Sequence, residues 1–368
     1  MDVIYMFDNS SSSFKTSDVS DSHVTSVHVN NIVISSPGSQ TADDLQTVDD
    51  IDAIVFNVLD IFFNCFLIHV LSLLGVVANV LNIVVLSRHG MQESTNILLM
   101  SLSVSDLCSS FVQPFRRLKC LVSQFDVPSS ITIRAFTFVY IYPITDFFEA
   151  ISICHVTAIS IERFVAVCFP LRVSRVFTPS RVCWLVVCLY GYTLGMYLPI
   201  VFRLTYAETY DVTFNVTVGL VAISQFYQEN YGPLNIYSNF YLNNAFTTLT
   251  LLIILFCSVV ITVQLTSRRT KLLKVNSEQT SSNKRAQERK VAKMLLTVCL
   301  VTLSAYLPTA VIYMCLLYAN ITVLSSDNLY FLLETIIGNL YQFVASVNFL
   351  IYVTMSSKFA RTYTQLFS

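Results

Sequence analysis

Seven apolar stretches, each roughly 20 to 30 residues long, recur between about Ile61 and Ser357, and most of the charge lies between them. A helix needs about 20 mostly apolar residues to cross the hydrocarbon core of a bilayer. The chain is 54% hydrophobic and only 12% charged, which meets that demand. The expectation is an all-α membrane protein, a seven-transmembrane helix bundle, with runs at about 61–86, 94–115, 135–161, 182–202, 239–266, 294–318 and 329–355. These runs consume most of the 368 residues and leave no length for a second globular domain.

The segment 1–60 is of a different kind. Ten aspartates and many serines stud it, and Lys15 is its only Lys or Arg. Such a segment cannot bury enough apolar surface to order itself, so it reads as a disordered acidic tail. It lacks a basic, then apolar, then small-residue start, so the first membrane helix is expected to act as its own insertion signal. Orientation follows from the basic residues of the connections. With the amino terminus outside, 16 of the 22 Lys and Arg residues fall on the cytoplasmic side. Glycosylation sequons at Asn9, Asn215 and Asn320 all fall on the opposite, extracellular side. The expected location is the plasma membrane, multi-pass, with the carboxyl terminus inside.

Polar groups at membrane depth are costly unless they meet partners or a water-filled cavity, so they mark mechanism or helix packing. Asn79 lies in the first run, Asp106 in the second and Asn348 in the seventh. Of the ten cysteines, only Cys120 sits in an extracellular connection, and Cys65 falls inside the first run. A disulfide across the outer face therefore lacks its second partner, and the membrane cysteines read as small buried hydrophobes.

With these residues in view, the chain resembles the rhodopsin-like, class A, G-protein-coupled receptors. The resemblance covers about Gly75 to Phe367. It rests on Asn79, on NILLMSLSVSDL with Asp106, on ISIERFVAVCFPL, on Trp184, on Pro308, and on NFLIY followed by SSKFARTYTQLF. Within the family the chain is most similar to invertebrate neuropeptide-type and chemosensory receptors.

The resemblance implies a set of activation residues. Glu162 and Arg163 occupy the acidic–Arg–aromatic triplet, and Glu288 at the start of the sixth run would restrain Arg163 as a second latch partner. An ordinary interfacial ion pair is the alternative. Pro308 removes a mid-helix hydrogen bond and should bend the sixth helix, letting a small shift at one end become a larger swing at the other. Tyr306 stands where the family has Trp, as the floor of the ligand cavity. Phe349 replaces the family's Pro beside Asn348, so the seventh helix is expected to be straighter, with Tyr352 still able to reorient. The fifth run lacks proline. Asp106, Ser152 and Asn348 match the family's inner sodium pocket, and a protonated Asp106 without an ion is the competing reading. Apart from that ion no cofactor is expected.

Candidate ligand residues in the outer half are Tyr142, Asp146, Glu149, Tyr306, Tyr313, Glu334 and Gln342, aromatics with a few polar groups. The family's amine-binding Asp corresponds to Thr145, one residue from Asp146, which argues against a monoamine. Arg116 and Arg117 either reach lipid headgroups or meet an anionic group of the ligand. The acidic tail and the tyrosines between about Arg203 and Tyr241 suit a cationic or amidated peptide. Residues 358–368 alternate aromatic and basic positions, the pattern of a short amphipathic helix on the inner leaflet.

The expected function is therefore ligand-driven activation of heterotrimeric G proteins by outward movement of the sixth helix. The ligand is a neuropeptide or, alternatively, a small environmental molecule. Membrane lipids are further partners, and no nucleic acid is expected. A transporter or channel is the reading outside this class, but no repeat relates the two halves, and with 8 glycines the helices are not glycine-broken. The five histidines have no paired metal-ligand spacing, so no enzyme is expected.

Overall fold

The computed structural model describes residues 55–272, 279–318 and 327–367. Among these, seven helices are long and apolar enough to cross a membrane. They are α1 (Val55–His89), α2 (Ser94–Val122), α3 (Val127–Cys168), α4 (Pro179–Val201), α5 (Tyr231–Ser267), α6 (Lys290–Ile312, within a longer helix Gln279–Tyr318) and α7 (Leu332–Met355, within Asp327–Met355). A short helix α8 (Ser357–Phe367) follows α7. The seven expected runs are all present. α1, α2 and α3 extend several residues beyond the apolar stretches, because helices outlast the purely hydrophobic part of their sequence.

Side chains at helical spacing fill the middle of the bundle: Leu98 and Leu102 of α2, Ile153, Val156 and Ile159 of α3, Ile254 of α5, and Leu295 and Val298 of α6. The outward faces stay apolar. Trp184 is 70% exposed, and Leu73, Val187, Leu252 and Leu350 are exposed as well, the pattern of a helix bundle turned toward lipid.

Prolines shape the ends. Pro114 lies inside α2, and the helix is interrupted at Arg117 before resuming as Leu118–Val122. In α3 a π-helical turn, Thr137–Ile141, immediately precedes Tyr142 and Pro143. Pro143 has no N–H to give to the preceding turn, and the wider π turn absorbs the missing bond. α5 begins earlier than its apolar run and so takes in Pro233; it also contains a π-helical stretch, Tyr237–Phe246. Tyr237 and Tyr241, expected in the loop, therefore lie on α5, where the Tyr241 and Tyr192 hydroxyls are 2.9 Å apart and Tyr237 donates to the Met196 carbonyl at 2.8 Å.

The α4–α5 connection, a loop on sequence grounds, forms an antiparallel hairpin. β1 (Leu204–Asp211) pairs with β2 (Val216–Ile223) in the register Leu204↔Ile223 to Asp211↔Val216. Asp211 Oδ1 accepts from the backbone N–H of Thr213 at 2.8 Å, and Asn215 takes φ 56°, a left-handed position that Asn tolerates at a turn. Gly219 N–H donates to Thr132 Oγ1 at 3.0 Å, which docks the hairpin on α3.

Cys65 and Cys120 form a disulfide, with their Cα atoms 5.5 Å apart. This corrects the expectation that Cys120 lacks a partner and that Cys65 is a buried hydrophobe. α1 starts before its apolar run and α2 continues past Arg117, so both cysteines stand at the same end of the bundle.

Candidate functional site: a polar column between α1, α2, α3 and α7

The end of the bundle that carries the hairpin is a charged vestibule. Arg116, 8% exposed, reaches across from α2. It donates to Thr145 Oγ1 at 2.9 Å and Asp146 Oδ1 at 3.0 Å on α3, and to Glu334 Oε1 at 3.1 Å on α7. Its guanidinium also lies 3.7 Å from the centre of the Tyr142 ring. Arg117 donates to the Tyr142 hydroxyl at 3.2 Å and lies 3.8 Å from Glu334 Oε1. Headgroup snorkelling is thereby excluded for these two arginines, which turn inward onto acids of the chain itself. Desolvated guanidinium groups demand such partners. One turn inward, Gln342 Nε2 donates to Ser110 Oγ at 2.7 Å. Both atoms sit over Gly75, where a Cβ would collide with them, so glycine is what lets α1 approach α2 and α7 here.

Below the vestibule lies a cavity of about 20 Å3, lined among others by Asp106, Ser109, Glu149, Ser152, Tyr306, Tyr341 and Asn348. The Tyr306 and Tyr341 rings stack with centroids 4.2 Å apart. Asp106 is buried at 3% exposure. Its Oδ1 accepts from Ser152 Oγ at 2.6 Å and its Oδ2 from Asn348 Nδ2 at 2.9 Å, so the three residues read as a set in the sequence do meet. Asn79 Nδ2 donates to the carbonyls of Gly75 and Ala345, each at 2.9 Å, which joins α1 to α7.

The residues fit a hard cation. Asn348 Oδ1 is buried without a partner among the described residues and is an oxygen acceptor, as are the oxygens of Asp106, Ser109 and Ser152. A site of this volume holds about one water-sized group. Among the described residues no three His, Cys, Asp or Glu side chains cluster as a metal site.

At the opposite end, Glu162 is 1% exposed and accepts from Ser94 Oγ at 3.0 Å and Thr95 Oγ1 at 2.9 Å. Arg163 donates to Glu162 through Nε at 2.7 Å and Nη2 at 2.6 Å, and Nη2 also contacts Thr95 Oγ1. The pair is thus tied to the start of α2. Thr95 joins this pair and is absent from the residues the sequence singles out; its only sequence signal is its place beside Asn96 in the NILL segment. Tyr352 is 1% exposed, and its hydroxyl has no hydrogen-bond partner among the described residues. It packs on Phe359 of α8 with ring centroids 5.7 Å apart. Phe359 is itself buried and Lys358 pairs with Glu93 at 3.6 Å, so α8 turns part of its apolar face onto the bundle.

Of the remaining expected site residues, Asn215 lies exposed at the hairpin turn. Pro308 lies inside a continuous α6, and the helix around Asn348 is unbroken, without proline. Asn9 and Asn320 lie outside the described residues, as do the side chains of Glu288 and Tyr313.

Residues 78–352, about three quarters of the chain, match the model of the seven-transmembrane receptor (rhodopsin) family. The chain is 24% identical over 321 residues to the FMRFamide receptor of Drosophila melanogaster, covering 82% of this chain and 53% of that protein. It is 30% identical over 113 residues to the growth hormone secretagogue receptor type 1 of Sus scrofa, 30% of each chain. It spans about half the length of the FMRFamide receptor. With seven spans, the polar column and the family match together, this multi-pass membrane protein belongs to the rhodopsin family of seven-transmembrane receptors.

Proposed function

We propose that the protein is a plasma-membrane receptor for an extracellular neuropeptide, cationic or amidated, which it couples to heterotrimeric G proteins through outward movement of α6. The amino terminus and the hairpin face outward and the Arg163 end faces the cytoplasm, as the distribution of basic residues and the sequon at Asn215 support. One observation carries the reading. A single cavity touches both vestibule-side groups, Glu149, Tyr306 and Tyr341, and the inner set, Asp106, Ser152 and Asn348. A ligand that displaces Tyr306 changes the surroundings of Asp106 directly.

The residues then divide the work. The vestibule selects and orients the ligand. The Tyr306–Tyr341 stack joins α6 to α7, and its rearrangement shifts α6 about Pro308. Glu162, with Thr95, keeps Arg163 turned toward α2. Release of Arg163 frees it for a G protein. A sodium ion held by Asp106, Ser152 and Asn348 would supply positive charge that stabilises the resting arrangement. The likeness to the FMRFamide receptor of Drosophila melanogaster supports a peptide ligand.

The test is a ligand screen, peptides beside odorant-like small molecules, on cells that express the chain with promiscuous G proteins. A peptide agonist is expected, and Arg163→Ala should abolish the response with surface expression retained. Agonism confined to small molecules would replace the peptide reading with the chemosensory one. Normal signalling by Arg163→Ala would refute the inner half of the scheme.

A further inference from the structure

We infer that the outer edge of β1 is a strand-addition site for an extended cationic peptide. The inference deepens the receptor reading and rests on it only for that peptide's role as the ligand. Two bonds fix which backbone groups of the hairpin point where. Gly219 N–H donates away from β1, to Thr132 of α3, and Ser224 N–H donates to the Arg203 carbonyl at 3.1 Å. Bonded and non-bonded pairs alternate along an antiparallel ladder. In the register Leu204↔Ile223 to Asp211↔Val216, both bonds assign Thr205, Ala207 and Thr209 to the bonded pairs. Tyr206, Glu208 and Tyr210 therefore turn their N–H and C=O groups away from β2. Among the described residues these groups have no hydrogen-bond partner.

The outer edge of β2 docks on α3, whereas that of β1 stays open. Native edges carry Lys, Pro or a bulge that blunts further pairing. β1, LTYAETYD, has none of these, and it pairs with β2 residue for residue. The Tyr206 ring leaves the edge clear, because it folds back over Gly219, where a Cβ would collide with it. Glu208 and Tyr210 are exposed. What remains is a row of donor–acceptor pairs about 7 Å apart, the template on which an added strand forms.

Charge selects the occupant. The hairpin from Leu204 to Ile223 contains Glu208 and Asp211 and no Lys or Arg. A second copy pairing edge to edge would bring these two carboxylates from each chain together with no base among them. A cationic strand meets the opposite situation. The residue it places opposite Glu208 carries its side chain on the face shared by Glu208, Tyr206 and Tyr210. A Lys or Arg there pairs with the Glu208 carboxylate, and bases two residues to either side meet the tyrosine rings.

The test is hydrogen exchange on the purified full-length chain in detergent, read at single amides. The probe is a seven-residue peptide of alternating lysine and threonine, acetylated and amidated. In the free chain the amides of Tyr206, Glu208 and Tyr210 should exchange fast, and those of Thr205, Ala207 and Thr209 slowly. The peptide should slow the first three saturably, by about tenfold or more, and a counterpart with glutamate in place of lysine should not. Methylating the lysine amide nitrogens should abolish this protection, and methylating those of threonine should leave it, since the lysine amides face β1. Glu208→Gln should raise half-saturation about two- to fivefold. Glu208→Pro should raise it about three- to tenfold further, because it also removes an outward donor and leaves the ladder bonds intact. Should Glu208→Pro not fold, the methylated peptides decide the matter. No saturable protection, equal protection by the acidic peptide, or indifference to the position of methylation overturns the inference. So does protection of the three amides in the free chain, which would show that the chain itself, singly or as two copies, covers the edge. No G protein enters this assay. Edge binding in a chain that never activates a G protein would sink the receptor reading alone. A peptide agonist that neither protects these amides nor senses Glu208→Pro would sink the edge inference alone.

Discussion

Arg116 offers the sharpest test of the vestibule, because its two acids differ in exposure. The Asp146 side chain is 41% exposed, that of Glu334 only 17%, and the arginine itself 8%. Removing one partner of a buried pair costs about 3–5 kcal/mol, because the other charge is left uncompensated. An acid that water can reach recovers most of that loss, and such pairs contribute about 0–1 kcal/mol. Arg117, 3.8 Å from Glu334, softens the first figure toward its lower end. Two double-mutant cycles on the apparent melting of purified protein separate these contributions. Arg116→Met with Glu334→Gln should show a coupling of about 2–3 kcal/mol. Arg116→Met with Asp146→Asn should show less than about 1 kcal/mol. Equal couplings, or both within about 0.5 kcal/mol of zero, would show that burial does not set the strength of this network.

Three further outcomes are expected. Joint replacement of Cys65 and Cys120 by alanine should destabilise the chain by about 4 kcal/mol from loop entropy over the 55-residue separation; a reducing agent should lower the melting point of the wild type and not of the double variant, and equal sensitivity would argue against the bridge. Gly75→Ala forces a Cβ onto Ser110 and Gln342 and should cost about 1–3 kcal/mol, whereas Gly191→Ala, with nothing within 4 Å of its added Cβ, should be neutral or mildly stabilising; similar effects in the two variants would refute the close approach of α1. Tyr352→Phe removes a buried hydroxyl without a partner among the described residues and should raise the melting point, and a clear fall would mean that the hydroxyl is bonded.

The helices and the inner polar set were legible in the sequence, because a bilayer punishes unpaired polar groups: Asp106 and Asn348 meet each other, and Asn79 meets the Ala345 carbonyl of α7. Glu162 and Arg163 were legible as a motif, but Thr95 was not, since a threonine near a helix start has many uses. The disulfide was hidden by the boundary problem: Cys65 looks intramembrane when the first helix is cut at its apolar edge. The hairpin was hidden by its composition. Its strand LTYAETYD alternates poorly and carries two of the tyrosines, Tyr206 and Tyr210, that the sequence places in a ligand-facing loop. The identities of Arg116, Asp146 and Glu334 were all noticed, and their mutual neutralisation was not, because pairing across α2, α3 and α7 depends on the interrupted end of α2 and the π turn of α3.

The Cys65–Cys120 bridge has a mechanical consequence. It fastens α1 to α2 covalently, and the bonds of Asn79, Asp106 and Arg116 extend that fastening to α7 and α3. Half of the bundle thus becomes a stiff chassis. α6 meets it largely through apolar side chains and one pair of stacked rings. Under the proposed receptor function, this arrangement channels agonist-driven motion into one lever arm instead of letting it dissipate through the remaining helices.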